Sequence, residues 1–230
     1  MKPYTSIIFP PLRTTGNEIV QMTLSAALRR RGVEFLYYLA HRDDVPSILQ
    51  RGILSYNMVM RAGFQHQSIA NKSVQRRRDV KEVFGLSIHD YVPLYLVRRN
   101  PMLVKVWQDF PGDFAYVSIN LEAADKGCTT FSDGNAASDA TCFFRKLSKV
   151  DEIPWEVLRS EWWNDFPDGK RQRCAEILVP KNVEPRFIFD VKCFKPVPVD
   201  PRYSRLVKVD QKFLRWQSSS PPRQPWDLSW

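Results

Sequence analysis

The stretch Arg171-Gln172-Arg173-Cys174-Ala175-Glu176-Ile177-Leu178-Val179, closed by Pro180, reads as a β-strand over Cys174–Val179. A polar turn, Asp168-Gly169-Lys170, leads into it and a proline ends it. Alternate side chains of a strand point to opposite faces. Ala175, Ile177 and Val179 therefore share one face, and Cys174, Glu176 and Leu178 the other. Glu176 becomes a lone carboxylate on a face that otherwise looks buried. Such a charge costs several kcal/mol unless a cation or hydrogen-bond donors meet it. The ordinary alternative is an edge strand whose Glu176 faces water or pairs with Arg173.

Working outward, Arg186 to Cys193 gives another strand, and residues 204–217 a final strand or short helix. Upstream, strands are expected at Glu34–Leu39, Tyr91–Val97 and Phe114–Ile119, with Pro93 placing the second near an edge or a bulge. Helices are expected at Asn17–Arg31, closed by Gly32, at Val45–Gln50, stopped by Gly52, and at Ile153–Trp163, with Pro154 in its first turn. Residues 56–82 are polar and basic, with Ser73–Val80 helical at best, and Phe131 to Asn135 reads as a turn. Several short strands among few helices say α+β. The expected organisation is an N-terminal extension with a helix over 1–33, one domain over 34–217, and a Pro/Ser-rich tail over 218–230.

With 230 residues, the chain can bury a sizeable core. Its formal charge of +9 favours a polyanionic partner, either nucleic acid or a phosphate-rich cofactor, over a merely solvated basic surface. Four widely spaced cysteines without a C-x-x-C, and three histidines, fit neither a zinc site nor a disulfide framework. Buried, reduced thiols are expected instead. The apolar opening Ile7-Ile8-Phe9 is too short for a signal sequence, and no run approaches a membrane span. The expectation is a soluble, cytoplasmic protein with no membrane partner and no metal.

Four groups of residues could carry chemistry, each weak alone. Arg76-Arg77-Arg78 on a helix point in different directions, so at most one guanidinium turns inward while its neighbours are solvated or grip a phosphate backbone. His89-Asp90 resembles half of a dyad, but no G-x-S-x-G or comparable nucleophile context accompanies it. The small-residue loop Phe131-Ser132-Asp133-Gly134-Asn135-Ala136-Ala137-Ser138 is either a plain turn or a surface that admits a ligand closely. Trp155, Trp162 and Trp163, with Phe143 and Phe144, are core by default, although exposed rings in a basic protein can stack on unpaired bases.

Taken in order, these segments resemble the DarT family, DNA ADP-ribosyltransferase toxins of bacterial toxin–antitoxin pairs whose antitoxin is a macrodomain protein. The resemblance rests on Tyr37 with His41-x-Asp43-Asp44-x-x-Ser47-Ile48-Leu49 and Gly52, and on Ser68-Ile69-Ala70 with Gln75-Arg76-Arg77-Arg78. It continues through His89-Asp90-Tyr91-Val92-Pro93-x-Tyr95, Arg99-x-Pro101-Met102-Leu103, Phe131-x-Asp133 and Arg173-x-Ala175-Glu176-x-Leu178-Val179. Coverage runs from about residue 35 to 195; Tyr38 departs from the family, which carries histidine there.

The resemblance implies an ADP-ribosyltransferase-like split, mostly antiparallel sheet with flanking helices and NAD as co-substrate in the cleft. It implies transfer of ADP-ribose to thymidine in single-stranded DNA. It makes Glu176 and Arg78 catalytic and puts Tyr38, Leu39, Ala40, Ser47 and Arg78 against NAD. It puts His89, Tyr95, Arg99, Met102 and Asp133 toward the DNA substrate. The family account gives the arginine a proton-accepting role. Arginine almost never yields its proton, so Arg78 is expected to clamp phosphates or orient the base while Glu176 or water takes the proton. A base inside a duplex is out of reach, so an unpaired nucleotide is expected. Alternatives are ADP-ribosylation of RNA, of another base or of a protein, and a non-catalytic nucleic-acid-binding module.

Overall fold

The structure, a computed structural model, describes residues 22–64, 66, 69 and 72–210. The lead-in, the C-terminal tail, and Ser68 and Ala70 of the Ser-Ile-Ala motif lie outside the described residues. In chain order the elements are α1 (Leu24–Arg30), β1 (Leu36–His41), α2 (Val45–Arg51), β2 (Ile53–Leu54), α3 (Tyr56–Ala62), α4 (Lys72–Asp79), β3 (Glu82–Val83) and β4 (Leu86–Ser87). They continue with β5 (Tyr91–Tyr95), α5 (Pro101–Asp109), β6 (Phe114–Ile119), β7 (Thr130–Ser132) and β8 (Phe143–Phe144). The last are α6 (Trp155–Arg159), α7 (Gly169–Gln172), β9 (Glu176–Pro180), β10 (Asn182–Val183), β11 (Ile188–Cys193) and β12 (Val207–Val209).

Eight strands form one sheet in the order β12-β11-β6-β1-β5-β9-β7-β8. Every pair is antiparallel except β11 with β12. The α+β, split-sheet expectation holds. β1 runs alongside β6 for its whole length, from Leu36↔Ile119 to His41↔Phe114, but meets β5 only at Tyr37↔Tyr95. Beyond that point β1 and β5 diverge, and the cleft opens between the halves. Pro93, expected near an edge or a bulge, belongs to a strand in the middle of the sheet order. Its β1-facing side is nevertheless unpaired, which is where a residue without an N–H is tolerated.

β6 lies between β11 and β1 and is buried along all six residues, as a strand covered on both faces must be. One face carries the main core, in which Leu36, Ala40, Val117, Ile177 and Val179 meet Ile48 and Leu49 of α2. The helix expected in the N-terminal extension packs here too, through Leu24, Ala27 and Leu28. The Thr23 hydroxyl accepts from Ala26 N–H at its start, and Gly32, with φ 82°, turns the chain out of it. Asn100 caps α5 by accepting from Leu103 N–H, and Pro101 occupies the first turn, where no donor is lost.

Two helical expectations are corrected. The 56–82 region contains a second helix, α3, started by the Ser55 hydroxyl accepting from Met58 N–H and closed by Gly63 in the left-handed conformation. The helix expected to reach Trp163 stops at Arg159. There the buried Arg173 guanidinium takes the carbonyls of Val157, Leu158 and Ser160, replacing the amide donors of a further turn. Of the cysteines, Cys174 and Cys193 are buried but Cys128 and Cys142 are exposed, against the expectation of buried thiols; all four are free. No helix of the described residues is long and apolar enough to cross a membrane.

Gly52 tests the α2–β2 junction. Its φ of 83° and ψ of −174° fall where essentially only glycine rests, and an added Cβ would strike the Val183 carbonyl. Gly52→Ala is expected to lower unfolding free energy by at least ~2 kcal/mol in a urea titration. A loss below ~0.5 kcal/mol would contradict this.

Candidate active site

The alternation expected for β9 is what the fold uses. Ala175, Ile177 and Val179 enter the main core. On the other face Cys174 joins Tyr95, Met102 and Leu103, while Leu178 joins Val83, Ile88, Tyr91 and Ala136. Glu176 lies between these two apolar clusters and is 0% exposed. It neither faces water nor pairs with Arg173.

Its partner is Arg78, 98 residues away at the end of α4. One guanidinium nitrogen donates to both carboxylate oxygens at 2.9 Å, and Ala136 N–H donates to Oε1 at 3.2 Å. The strand itself is pinned by Ser132, whose hydroxyl accepts from Glu176 N–H at 3.0 Å and donates to the Gly134 carbonyl at 2.7 Å. The loop bearing Ala136 is braced in turn. Arg171 binds Asp133 at 2.8 Å, Asp168 at 2.6 Å and the Thr141 hydroxyl at 3.1 Å. Gly134 leaves the space that the Arg171 side chain fills.

Burial disfavours the Arg78 charge, but Glu176 and Tyr95 more than reverse this and hold its pKa above the ordinary arginine value. A guanidinium in this setting stays charged, which argues against a base role. Burial also pushes the Cys174 thiol up to about 12, with the Glu176 charge adding to it, so sulfur is no nucleophile here. The Tyr38 phenol is likewise pushed up to about 12 by burial, then by Asp44. Tyr95, the cross-strand partner of Glu176, is raised well above the phenolic range by burial and by that carboxylate. Both phenols are neutral donors at physiological pH.

The cleft, of ≈ 190 Å³, is lined by Tyr38, Leu39, Ala40, Ser47, Arg78, His89, Tyr95 and Met102 among others. The four expected NAD-contact residues on β1 and α2 thus come together with Arg78 and with three of the expected substrate residues. Glu176 sits behind Arg78. Arg99 and Asp133 are not among the lining residues: Arg99 lies over the Trp162 ring at 4.7 Å, and Asp133 serves the loop brace. Trp155 and Trp163 are core.

Sequence reading missed three participants. Tyr56 stacks on His89, their centroids 4.6 Å apart, and both line the cleft. Asp79 holds His89 Nε2 at 2.9 Å and so ties the end of α4, one residue from Arg78, to the entrance of β5. Ser132 lies in the flagged loop, but nothing local in its sequence reveals a bond to β9. Among the described residues no group of three or more histidine, cysteine or acidic side chains is arranged to hold a metal ion.

A split, mostly antiparallel sheet, with a buried glutamate paired to a cleft-lining arginine and tyrosines nearby, is the architecture expected of the ADP-ribosyltransferase class. Residues 37–211 match the family described as ssDNA thymidine ADP-ribosyltransferase, DarT, and the chain belongs to that family. A DNA ADP-ribosyl transferase–DNA ADP-ribosyl glycohydrolase fusion protein of Thermosipho africanus is 34% identical over 158 residues, 66% of this chain; the chain spans only 40% of that fusion's length. The structure of Thermosipho africanus DarTG in complex with ADP-ribose superposes with a TM-score of 0.64 at 31% identity, covering 71% of this chain and 44% of that one. Thermus sp. 2.9 DarT in complex with ADP-ribosylated ssDNA gives a TM-score of 0.62 at 25% identity, covering 71% of this chain and 83% of that one.

Ser132→Ala removes both the acceptor for a buried N–H and the donor to Gly134. It is expected to cost about 1–3 kcal/mol in denaturant unfolding and to slow transfer through misplacement of Glu176. Unchanged stability would show that the strand and loop hold without this hydroxyl.

Proposed function

We propose that this chain transfers ADP-ribose from NAD to thymidine in single-stranded DNA, with Glu176 as the catalytic carboxylate. The observation that carries the reading is the buried Glu176 carboxylate, fixed by Arg78 and Ala136 N–H at the back of the cleft. The Thermus relative solved with ADP-ribosylated ssDNA supports an ADP-ribose donor and DNA as acceptor.

NAD lies along β1 and α2, against Tyr38, Leu39, Ala40 and Ser47, with its ribose toward Glu176. The bond between the ribose anomeric carbon and the nicotinamide nitrogen breaks, and its electron pair leaves with nicotinamide. Oxocarbenium-like charge on the sugar is stabilised by the carboxylate, which is already oriented and needs no reorganisation. Arg78 faces the cleft as a permanent cation, suited to the diphosphate or to a carbonyl of the base. The attacking base nitrogen forms the new bond, and its proton leaves to Glu176 or water. In thymidine, where one ring nitrogen is bonded to the sugar, the base keeps a single ring N–H, which this reading makes the reacting position. Tyr95, His89 and Met102 line the wall that receives the base; Arg99 acts further out, where the strand leaves the cleft, and Asp133 contributes by bracing the loop that carries Ala136.

The chain acts in the cytoplasm as the toxin of a toxin–antitoxin pair. The fusion of transferase with DNA ADP-ribosyl glycohydrolase in the Thermosipho relative supports a macrodomain antitoxin that removes the modification. Expression without such a partner is expected to arrest bacterial growth.

Mass spectrometry of a thymidine-containing oligonucleotide after incubation with NAD is expected to show one added ADP-ribose on a thymine base. Label found only on RNA or on protein would overturn the acceptor. Glu176→Gln is expected to lower the transfer rate by about 10²–10³-fold, the scale of a lost preorganised electrostatic group, with circular dichroism unchanged. Transfer by Glu176→Gln at the wild-type rate would remove Glu176 from the catalytic role.

A further inference from the structure

Between α4 and the cleft wall stands a small feature that the proposed chemistry does not use. β3 and β4 form a two-residue hairpin with Val83 opposite Leu86. Both turn residues have positive φ, 51° at Phe84 and 77° at Gly85, the pattern of a type I′ turn. Asparagine, aspartate or glycine normally precedes the glycine of such a turn, and a bulky aromatic in the left-handed region is an outlier. Nothing in the core explains the ring. Phe84 is 52% exposed, flanked by exposed Val80 and Leu86.

The ring is nonetheless held in place. The Arg145 guanidinium lies over it at 4.5 Å from the centroid. Arg145 is itself fixed from behind, donating to the Tyr91 hydroxyl at 2.9 Å and to the Thr130 hydroxyl at 3.1 Å. Tyr91 lines the cleft, so the platform and the reaction site share a wall. Exposed Arg76 and Arg77 project from the neighbouring helix, one turn or less from Arg78. Three carboxylates are nearby: Asp79 is taken by His89, Asp139 lies 3.8 Å from Lys81, and Glu82 is exposed.

We propose that Phe84, backed by Arg145, is a stacking platform for a nucleotide that flanks the modified thymidine on an unpaired DNA strand. An exposed aromatic presents a π-face to a base of any identity, the surrounding arginines hold the phosphates, and the strained turn keeps the ring pointed outward. The platform rests on the single-stranded DNA reading above and adds to it a site outside the catalytic cleft. It fixes how the strand is held, not which base is modified.

Phe84→Asn tests this cleanly, because asparagine suits the left-handed turn while the ring is lost. Steady-state transfer is measured on an oligonucleotide of about twelve nucleotides and on thymidine monophosphate alone. The KM for the long oligonucleotide is expected to rise about tenfold, with kcat and the KM for NAD unchanged. Thymidine monophosphate, which has no flanking base to stack, is expected to react within about twofold of wild type. Phe84→Trp restores the long-substrate KM, and the melting temperature of Phe84→Asn does not fall. Equal KM values for Phe84→Asn and wild type on the long oligonucleotide sink the platform alone. A wild-type chain that consumes NAD but labels no oligonucleotide sinks the DNA reading, and the platform with it.

Discussion

Two opposite charges are kept out of water at the centre of this molecule, and most of its architecture is arranged around them. The Arg78–Glu176 pair joins a helix from the first half of the chain to a strand from the second, with side-chain exposures of 12% and 1%. A buried ion pair of this kind is weak evidence for stability, because desolvating both partners cancels much of their attraction. The proposed chemistry accounts for the pair better. A carboxylate that is charged, shielded and immobile is what a developing sugar cation requires, and a hydrophobic replacement would pack equally well and do nothing.

Holding Glu176 still requires rigidity from three directions. β9 supplies it through pairing with β5 and β7 and through alternation between two apolar clusters. The loop after β7 supplies an amide donor, and that loop depends on Arg171 bridging Asp133 to Asp168. The third direction is α4, tied down by Asp79 to His89, which Tyr56 of α3 backs. Two of the three supports rest on polar side-chain bonds, the Asp133–Arg171 pair among them spanning 38 residues of sequence. An error in any one displaces the carboxylate or its cation, and small displacements at a reacting centre are costly in rate.

What could be read from sequence follows from this division. The period-two pattern of β9 is local, so both faces of Cys174–Val179 were legible and both are observed. Its boundary shifts to Glu176–Pro180 because Cys174 and Ala175 are still hydrogen-bonded to the turn at Arg171 and Gln172. α3 was illegible: its seven residues bury no side chain completely, so no apolar stripe marks it, and only Ser55 and Gly63 announce its ends. Which of three arginines turns inward could not be derived from the run itself; the family resemblance supplied Arg78. Asp133 drew attention as a polar residue in a small-residue loop, and its bond to Arg171 across 38 residues is a tertiary fact with no local trace.

The order of the groups in the cleft carries a consequence for how the reaction is protected. Arg78 lines the open space while Glu176 lies behind it, so the cation is met before the anion. A diphosphate entering the cleft therefore finds an attractive charge, and the carboxylate stays covered until a ligand with hydroxyl donors competes for its oxygens. The Ala136 N–H donates to Oε1 independently of Arg78, so this donor does not require the guanidinium to stay in place. A free, water-exposed carboxylate would be solvated and would have to shed that water before it could stabilise a sugar cation. Keeping it paired with a neighbouring guanidinium exchanges that desolvation step for a local rearrangement of one arginine side chain.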